Sequence, residues 1–368
     1  MKTDEQVLIE SIQKTLIANT PKQPNQAGAI PEGISSDKDS WRHFEDDAFF
    51  CAKTQQVLTT DMLVEGVHFS TDYFSPFDIG WKTMAVNLSD IVAMAAMPQY
   101  CLVSMALPKT MPEPYTPTGW VTALYNGMQA VCKQFGGKII GGDTVYNPNG
   151  IVLSVTATGI TEQAGFSAHR FNARPGDIVL VAGHHGLSAI GLSCFQNKIE
   201  GFPESKQAHL TPKPQQAAMR AYLDVCRQHD CLEQMTLTDT SDGLAPALIQ
   251  LATASHTVLC VDTEQTPIHP EVYAYYEQYP QAEHARKGVS AALNAVLYGG
   301  EDFGLVAALP ASIWQDKASN AKLAPFFTKI GTCESNPQKG TSVTTIPGAY
   351  CKVTGQTLQM ADAFQHFQ

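Results

Sequence analysis

The chain has 368 residues, of which 44% are hydrophobic and 16% charged, and its formal net charge is −11. That length exceeds one ordinary core, so two domains are the default and one large α/β domain the alternative, with the composition of a soluble globular protein. The acidic excess argues against a nucleic-acid binder, which needs a basic face for the phosphate backbone, but it leaves phosphate ligands open because bound divalent cations reverse the local sign.

Nine cysteines are scattered singly, without a CxxC pair or zinc spacing. The expectation is reduced thiols in a cytoplasmic protein. The opening MKTDEQVLIE has no apolar core, and no apolar run approaches the ~18 residues of a membrane span.

Residues 4–17 place Leu8, Ile9, Ile12 and Leu16 at helical spacing. Residues 20–40 are rich in Pro, Gly, Asn, Ser and Asp and read as a loop or lid. HFEDDAFF follows, then an apolar strand ending in LTTDMLVEGVHF, where Thr59, Thr60 and Asp61 put two hydroxyls beside a carboxylate. Such a group at a strand end can hold a hard cation through oxygen, and His68 comes within reach if the chain turns at Gly66. Residues 78–96 are helical in pattern and contain NLSD. A strand at 101–107, an amphipathic helix at 118–135, a short strand at 138–140, a glycine turn GGDT and a β-branched strand at 151–160 complete the first half.

The character changes near residues 162–170, which is the expected domain boundary. RPGD turns into a strand at 178–181, and the glycine turn GHHG leads to a helix at 187–195. His184 and His185 in that turn read as exposed. Pro212 and Pro214 precede a helix at about 215–229, and TDTSDGL opens another that runs to Ala254. A strand at 257–262, the glycine turn of LYGGEDFGLVAAL with its strand, and the ending AFQHF finish the chain. Strands alternating with helices in both halves indicate α/β or α+β domains.

Five acidic turns carry the chemistry: EDDA, TTD, NLSD, GGDT and DTSDG. One such Asp is usually a turn former or an N-cap. Five of them against apolar elements need neutralising, and no Lys or Arg lies within any of the five. Oxygen-only ligands favour magnesium over zinc. A site of this kind suits phosphoryl transfer, yet neither a Walker loop nor the HRD and DFG pair of protein kinases is present.

EDDA, TTDMLVEGVHF, WKTMAVNLSDIVAMAAMP, GGDT, RPGD, SDGL and YGGEDF, in this order, resemble the thiamine-monophosphate kinase family. Its superfamily includes aminoimidazole ribonucleotide synthetase, selenophosphate synthetase and the hydrogenase maturation dehydratase. The resemblance covers residues 42–368 and is most specific in TTDMLVEGVHF and NLSDIVAMAA. It implies a two-domain aminoimidazole ribonucleotide synthetase-like fold. An N-terminal helix and flexible segment (1–40) would precede a first domain (41–165) with a mixed sheet that pairs with a second subunit. An α/β sandwich (166–368) would follow. It further implies transfer of the γ-phosphoryl of ATP to thiamine monophosphate, several magnesium ions, and ATP in a crevice at a homodimer interface. A second acceptor within the superfamily and a nucleotide-binding regulator without turnover are the alternatives.

By the same resemblance, Asp47, Thr59, Thr60, Asp61, Asp90, Asp143, Asp239 and Asp242 are magnesium ligands. Tyr125, Gly142, Asp143, Arg170 and Ser241 contact ATP, and His68, Glu301 and Phe364 contact the acceptor. The attacking phosphate oxygen is already anionic, so no general base is expected, and Asp61, Asp90 and Asp143 act through bound cations. Three departures stand out. Glu45 replaces the family's glycine before the acidic pair, Asn172 a glycine in the RFNAR turn, and Thr240 an apolar residue in DTSDG.

Overall fold

The computed structural model describes residues 46–163, 165–280, 290–335, the backbone of 348–351, and residues 8, 11, 12, 14 and 358. The helix expected over 4–17 is helical at residues 8, 11, 12 and 14. The 20–40 segment, Glu45 and Phe364 lie outside the described residues.

The first sheet holds β1 (Phe49–Cys51), β2 (Gln56–Val64), β3 (Ala96–Leu107), β4 (Lys138–Tyr146) and β5 (Val152–Thr161), in the order β1-β2-β5-β3-β4. All its pairings are antiparallel except β3 with β4, so the sheet is mixed. Two expected boundaries move. TTD lies in the middle of β2, not at its end, and GGDT is no turn: β4 runs straight through it, paired with β3 from Tyr100↔Lys138 to Leu107↔Tyr146. The glycines satisfy that neighbour, since a Cβ on Gly142 would meet the Val103 carbonyl oxygen at 1.7 Å.

Helix α1 (Pro76–Ala93) covers one face of this sheet and α2 (Pro117–Phe135) packs upon it. Ser75 starts α1 with a capping box to Asp78, and Pro76 presets the first helical φ. Ala95, at φ +54, ends the helix and turns the chain directly into β3. The other face of the sheet is open: Leu58, Met62, Tyr100, Leu102 and Val145 remain 37–56% exposed.

The second sheet has the order β11-β8-β10-β6-β9-β7, built from β6 (Asp177–Ala182), β7 (Thr236–Asp239), β8 (Val258–Val261), β9 (Leu305–Pro310), β10 (Phe327–Glu334) and β11 (Gly348–Cys351). Strand β6 is buried throughout. Ile178 and Leu180 join a core with α5 (Gln216–Gln228), while Val179 and Val181 join one with α6 (Leu244–Ala254) and α8 (Ala291–Tyr298). Burial on both faces explains its uninterrupted apolar sequence. Helices α3 (Leu187–Gln196), α4 (Pro203–Leu210) and α7 (Pro270–Gln278) form a smaller cluster beside it. The short α9 (Ala311–Gln315) and α10 (Lys317–Leu323) follow β9.

Helix α1 joins the two halves. Val92 and Ala93 sit in the second core, Trp81 Nε1 donates to the Pro212 carbonyl at 2.7 Å, and Ser89 Oγ donates to Asp239 at 2.8 Å. His185 corrects the reading of GHHG as an exposed pair. His184 is exposed, but His185 is fully buried, because Gly304 opposite it has no side chain: a Cβ there would lie 2.6 Å from His185 Nε2. Burial pushes the His185 ring down to about 4.

Candidate active site

Three carboxylates from remote parts of the chain meet beside α1. Asp47 comes from the loop before β1, Asp90 from the last turns of α1, and Asp239 from the end of β7. One oxygen of each lies within 4.8 Å of the others. The acidic loop is held from both sides. Asp46 Oδ1 accepts from the Arg170 amide at 2.8 Å, and Asp46 Oδ2 faces His169 Nδ1 at 2.7 Å. Asp47 pairs with the Arg170 guanidinium and accepts from Thr238 Oγ1 at 3.1 Å. Arg170, expected to contact phosphate, is thus the one cation the chain brings to this cluster among the described ion pairs.

Alternation along β2 sorts its polar residues by face. Thr59 points inward and donates to Asp90 Oδ2 at 2.6 Å, while the Asp61 amide donates to Asn87 Oδ1 at 3.0 Å. Thr60 points outward, and its hydroxyl donates to the Val155 carbonyl at 3.0 Å. Asp239 accepts from Ser89 Oγ on one oxygen and from Ser241 Oγ, at 3.0 Å, on the other.

The electrostatics of the cluster are unbalanced. Burial raises the Asp90 carboxyl well above its ordinary value, and the neighbouring charges of Asp61, Asp239 and Asp47 push the same way. Asp239 is pushed up to about 7, first by burial and then by Asp47. Asp47 is raised by burial against the opposing pull of Arg170, and its Oδ2 has no hydrogen-bond partner among the described residues. Two like charges ~4 Å apart repel by about 4 kcal/mol at an effective dielectric of 20. An all-oxygen set of this kind, short of positive charge, fits hard divalent cations.

Next to the cluster opens a cleft of about 240 Å³, lined by Asp61, His68, Lys82, Ser241, Asp242 and Glu301 among others. His68 enters it from the bend after β2, where Gly66 takes φ +81 and His68 Nδ1 accepts from the Val64 amide at 3.0 Å. Glu301 enters from the turn before β9 in a left-handed conformation, φ +65, with its amide donating to the Ser241 carbonyl at 2.6 Å.

The expected residues therefore divide. Asp47, Thr59, Asp90, Arg170, Asp239 and Ser241 share one hydrogen-bonded cluster, and Asp61, His68, Asp242 and Glu301 line the cleft with Ser241. Gly142, Asp143 and Thr60 do not join them within one chain. The register Asp143↔Ser104↔Ser154↔Met62 puts Asp143 on the open outer face of the sheet, the side that carries Thr60. Tyr125 is half-buried on α2 against the first core and is absent from the cleft wall.

Residues 45–161 match the family described as AIR synthase related protein, N-terminal domain. Thiamine-monophosphate kinase of Prochlorococcus marinus is 32% identical over 86% of this chain and 87% of its own length. That of Bacillus subtilis is 33% identical over 78% and 83%. The chain belongs to the thiamine-monophosphate kinase family. The solved structure of AaThiL complexed with AMPPCP and TMP superposes with TM-score 0.70 at 26% identity, covering 98% of this chain and 99% of that one.

Two side chains escaped the reading of the family's motifs: Lys82, which lines the cleft, and His209, buried behind Glu301. Lys82 left a trace, as the single charge before NLSD in the apolar stretch WKTMAVNLSD. His209 left none, since only the fold of α4 brings it to Glu301. No helix among the described residues is long and apolar enough to cross a membrane.

Proposed function

We propose that this protein phosphorylates thiamine monophosphate with ATP, giving thiamine diphosphate and ADP. The observation that carries this reading is the convergence of Asp47, Asp90 and Asp239 beside a cleft walled by His68 and Glu301, in a chain of this family. AMPPCP is an ATP analogue, and its presence with TMP in the AaThiL complex supports the same pair of reactants here.

A terminal phosphate oxygen of the acceptor forms the new bond to the γ-phosphorus as the bond from that phosphorus to the β-bridging oxygen of ATP breaks. The attacking oxygen carries no proton at neutral pH, so no side chain has to remove one. The obstacle is repulsion between two anions. Magnesium ions, when bound, would supply the positive charge that offsets this repulsion. Asp47, Thr59, Thr60, Asp61, Asp90, Asp143, Asp239 and Asp242 would hold them. Hydrogen bonds from Thr59, Ser89 and Thr238 orient three of those carboxylates. Tyr125, Gly142, Arg170 and Ser241 serve ATP, and His68, Glu301 and Phe364 the acceptor.

The working unit is a homodimer in the cytoplasm. The open apolar face of the first sheet is the surface that pairs. Because Gly142, Asp143 and Thr60 stand on the strands of that sheet, ATP lies along the same seam.

Purified protein supplied with ATP, magnesium and thiamine monophosphate, followed by separation of the thiamine esters, tests the reading. Thiamine diphosphate should accumulate in equal amount with ADP. Asp61→Asn should abolish that turnover with an unchanged circular dichroism spectrum, since it removes cation affinity and little packing. Near-normal activity in that variant would refute the site.

A further inference from the structure

Lys82 on α1 is 1% exposed, yet neither the acidic cluster nor the phosphate chemistry uses it. Its Nζ forms an ion pair with Glu301 Oε1 at 2.8 Å, donates to the His68 carbonyl at 2.7 Å, and stands 5.2 Å from the centre of the Phe74 ring. One buried ammonium thus reaches both acceptor-side walls of the cleft, which come from different halves of the chain.

We propose that Lys82 is a positioning residue for the acceptor, holding His68 and Glu301 at a set separation across the cleft. This deepens the proposed function and rests on the reading that the cleft receives thiamine monophosphate.

A lysine is buried this deeply only when its charge is met, and breaking such a pair leaves an uncompensated charge behind. Here the charge is met by a carboxylate that itself sits in a strained, non-glycine left-handed conformation. Strain of that kind persists where surrounding contacts over-determine it, and Glu301 has three: its amide on Ser241, Oε1 on Lys82, and Oε2 at 3.6 Å from His209 Nδ1. Burial, with the charge of Lys82, pushes His209 down to about 3, so that imidazole is neutral, and Lys82 is the first of the neighbouring charges that hold Glu301 ionised. The carboxylate stays partly open to the cleft, where its remaining lone pairs can meet a cationic or amine-bearing ring. Lys82, Val86 and Asp90 follow one another at intervals of four along α1, so one helix face sets the acceptor against the cation-binding carboxylates.

Steady-state kinetics of Lys82→Met, Lys82→Arg and Lys82→Met/Glu301→Gln test this. Lys82→Met should raise KM for thiamine monophosphate at least tenfold and leave KM for ATP within twofold. Lys82→Arg should recover part of the loss. The double variant should be no worse than Lys82→Met, because the two residues act as a unit. A merely structural lysine would instead lower thermal stability and kcat without separating the two KM values. Unchanged KM for thiamine monophosphate in Lys82→Met, or equal deterioration toward both substrates without rescue by arginine, overturns the proposal. If Lys82→Met does not fold, Lys82→Gln/Glu301→Gln removes both buried charges and keeps polar contacts; a KM for thiamine monophosphate within twofold of wild type there overturns it equally. If the unaltered enzyme forms no thiamine diphosphate, the function has failed instead. Calorimetric titration with thiamine monophosphate then still reads the Lys82 effect on binding: a tenfold weaker titration in Lys82→Met supports its role, and an unchanged one overturns it.

Discussion

Asp239, with its carboxyl pushed up to about 7, shows what gathering buried carboxylates costs the fold. Asp47 and Asp90 are raised with it. A carboxyl whose folded value lies above its unfolded one stabilises the fold fully below the unfolded value of 3.8, and that contribution is lost as pH rises through the folded value. The buried histidines, His185 and His209, act with the opposite sign below their ordinary 6.5, so the carboxylates are best read above it. Metal-free protein should therefore lose thermal stability between about pH 6.5 and about pH 8. Magnesium should raise the melting temperature more at about pH 8 than at about pH 6.5, by mass action on the deprotonated cluster. Scanning fluorimetry with magnesium or with a chelator checks this, and an equal rise at both pH values would contradict it. Asp90→Asn should raise the metal-free melting temperature at about pH 8, by removing a carboxyl whose charged form is opposed by burial and by Asp61, Asp239 and Asp47, while turnover falls by about 10²-fold or more.

Helix α1 carries Lys82, Ser89 and Asp90, so its seating decides the geometry of the site. That seating depends on two glycines. A Cβ on Gly80 would lie 1.9 Å from the Leu124 carbonyl oxygen, and one on Gly127 would lie 1.9 Å from that of Phe77. The two helices touch backbone to backbone at this crossing. Gly127→Ala should lower the unfolding free energy by about 3 kcal/mol, the upper end of ordinary overpacking. Equilibrium urea denaturation would show it as a lower midpoint, and activity should fall although position 127 is remote from the cleft.

The two halves meet along α1, and the open face of the first sheet is the surface proposed above to pair with a second subunit. Leu58, Met62, Tyr100, Leu102 and Val145, from β2, β3 and β4, share this face, with Ser154, Thr156 and Thr158 of β5 between them. Exposed apolar surface of this extent marks an association site. Sedimentation should give a dimer. Leu102→Glu should sediment as a monomer with an unchanged circular dichroism spectrum and at least tenfold lower turnover. A monomeric wild type with full activity would refute the pairing, and with it the place given to ATP.

The motifs by themselves disclosed the reaction class, the three carboxylates that meet beside α1 and the α/β character of the chain, because charge and local spacing are carried by neighbouring residues. TTD and NLSD needed no fold to be noticed. What residues distant in sequence do to one another was not legible there. GGDT read as a turn because glycine is locally permissive, whereas the parallel neighbour β3 required glycine at position 142 inside a strand. His185 read as surface because nothing nearby shows that Gly304 clears a space for it. The acidic turns held no basic residue, yet Arg170 arrives beside Asp47 from 123 positions away. Lys82, Glu301 and His209 became one group only when α1, the turn before β9 and α4 packed together. Local chemistry is written in the order of residues, while burial, pairing and pKa depend on which segments the folded chain presses together.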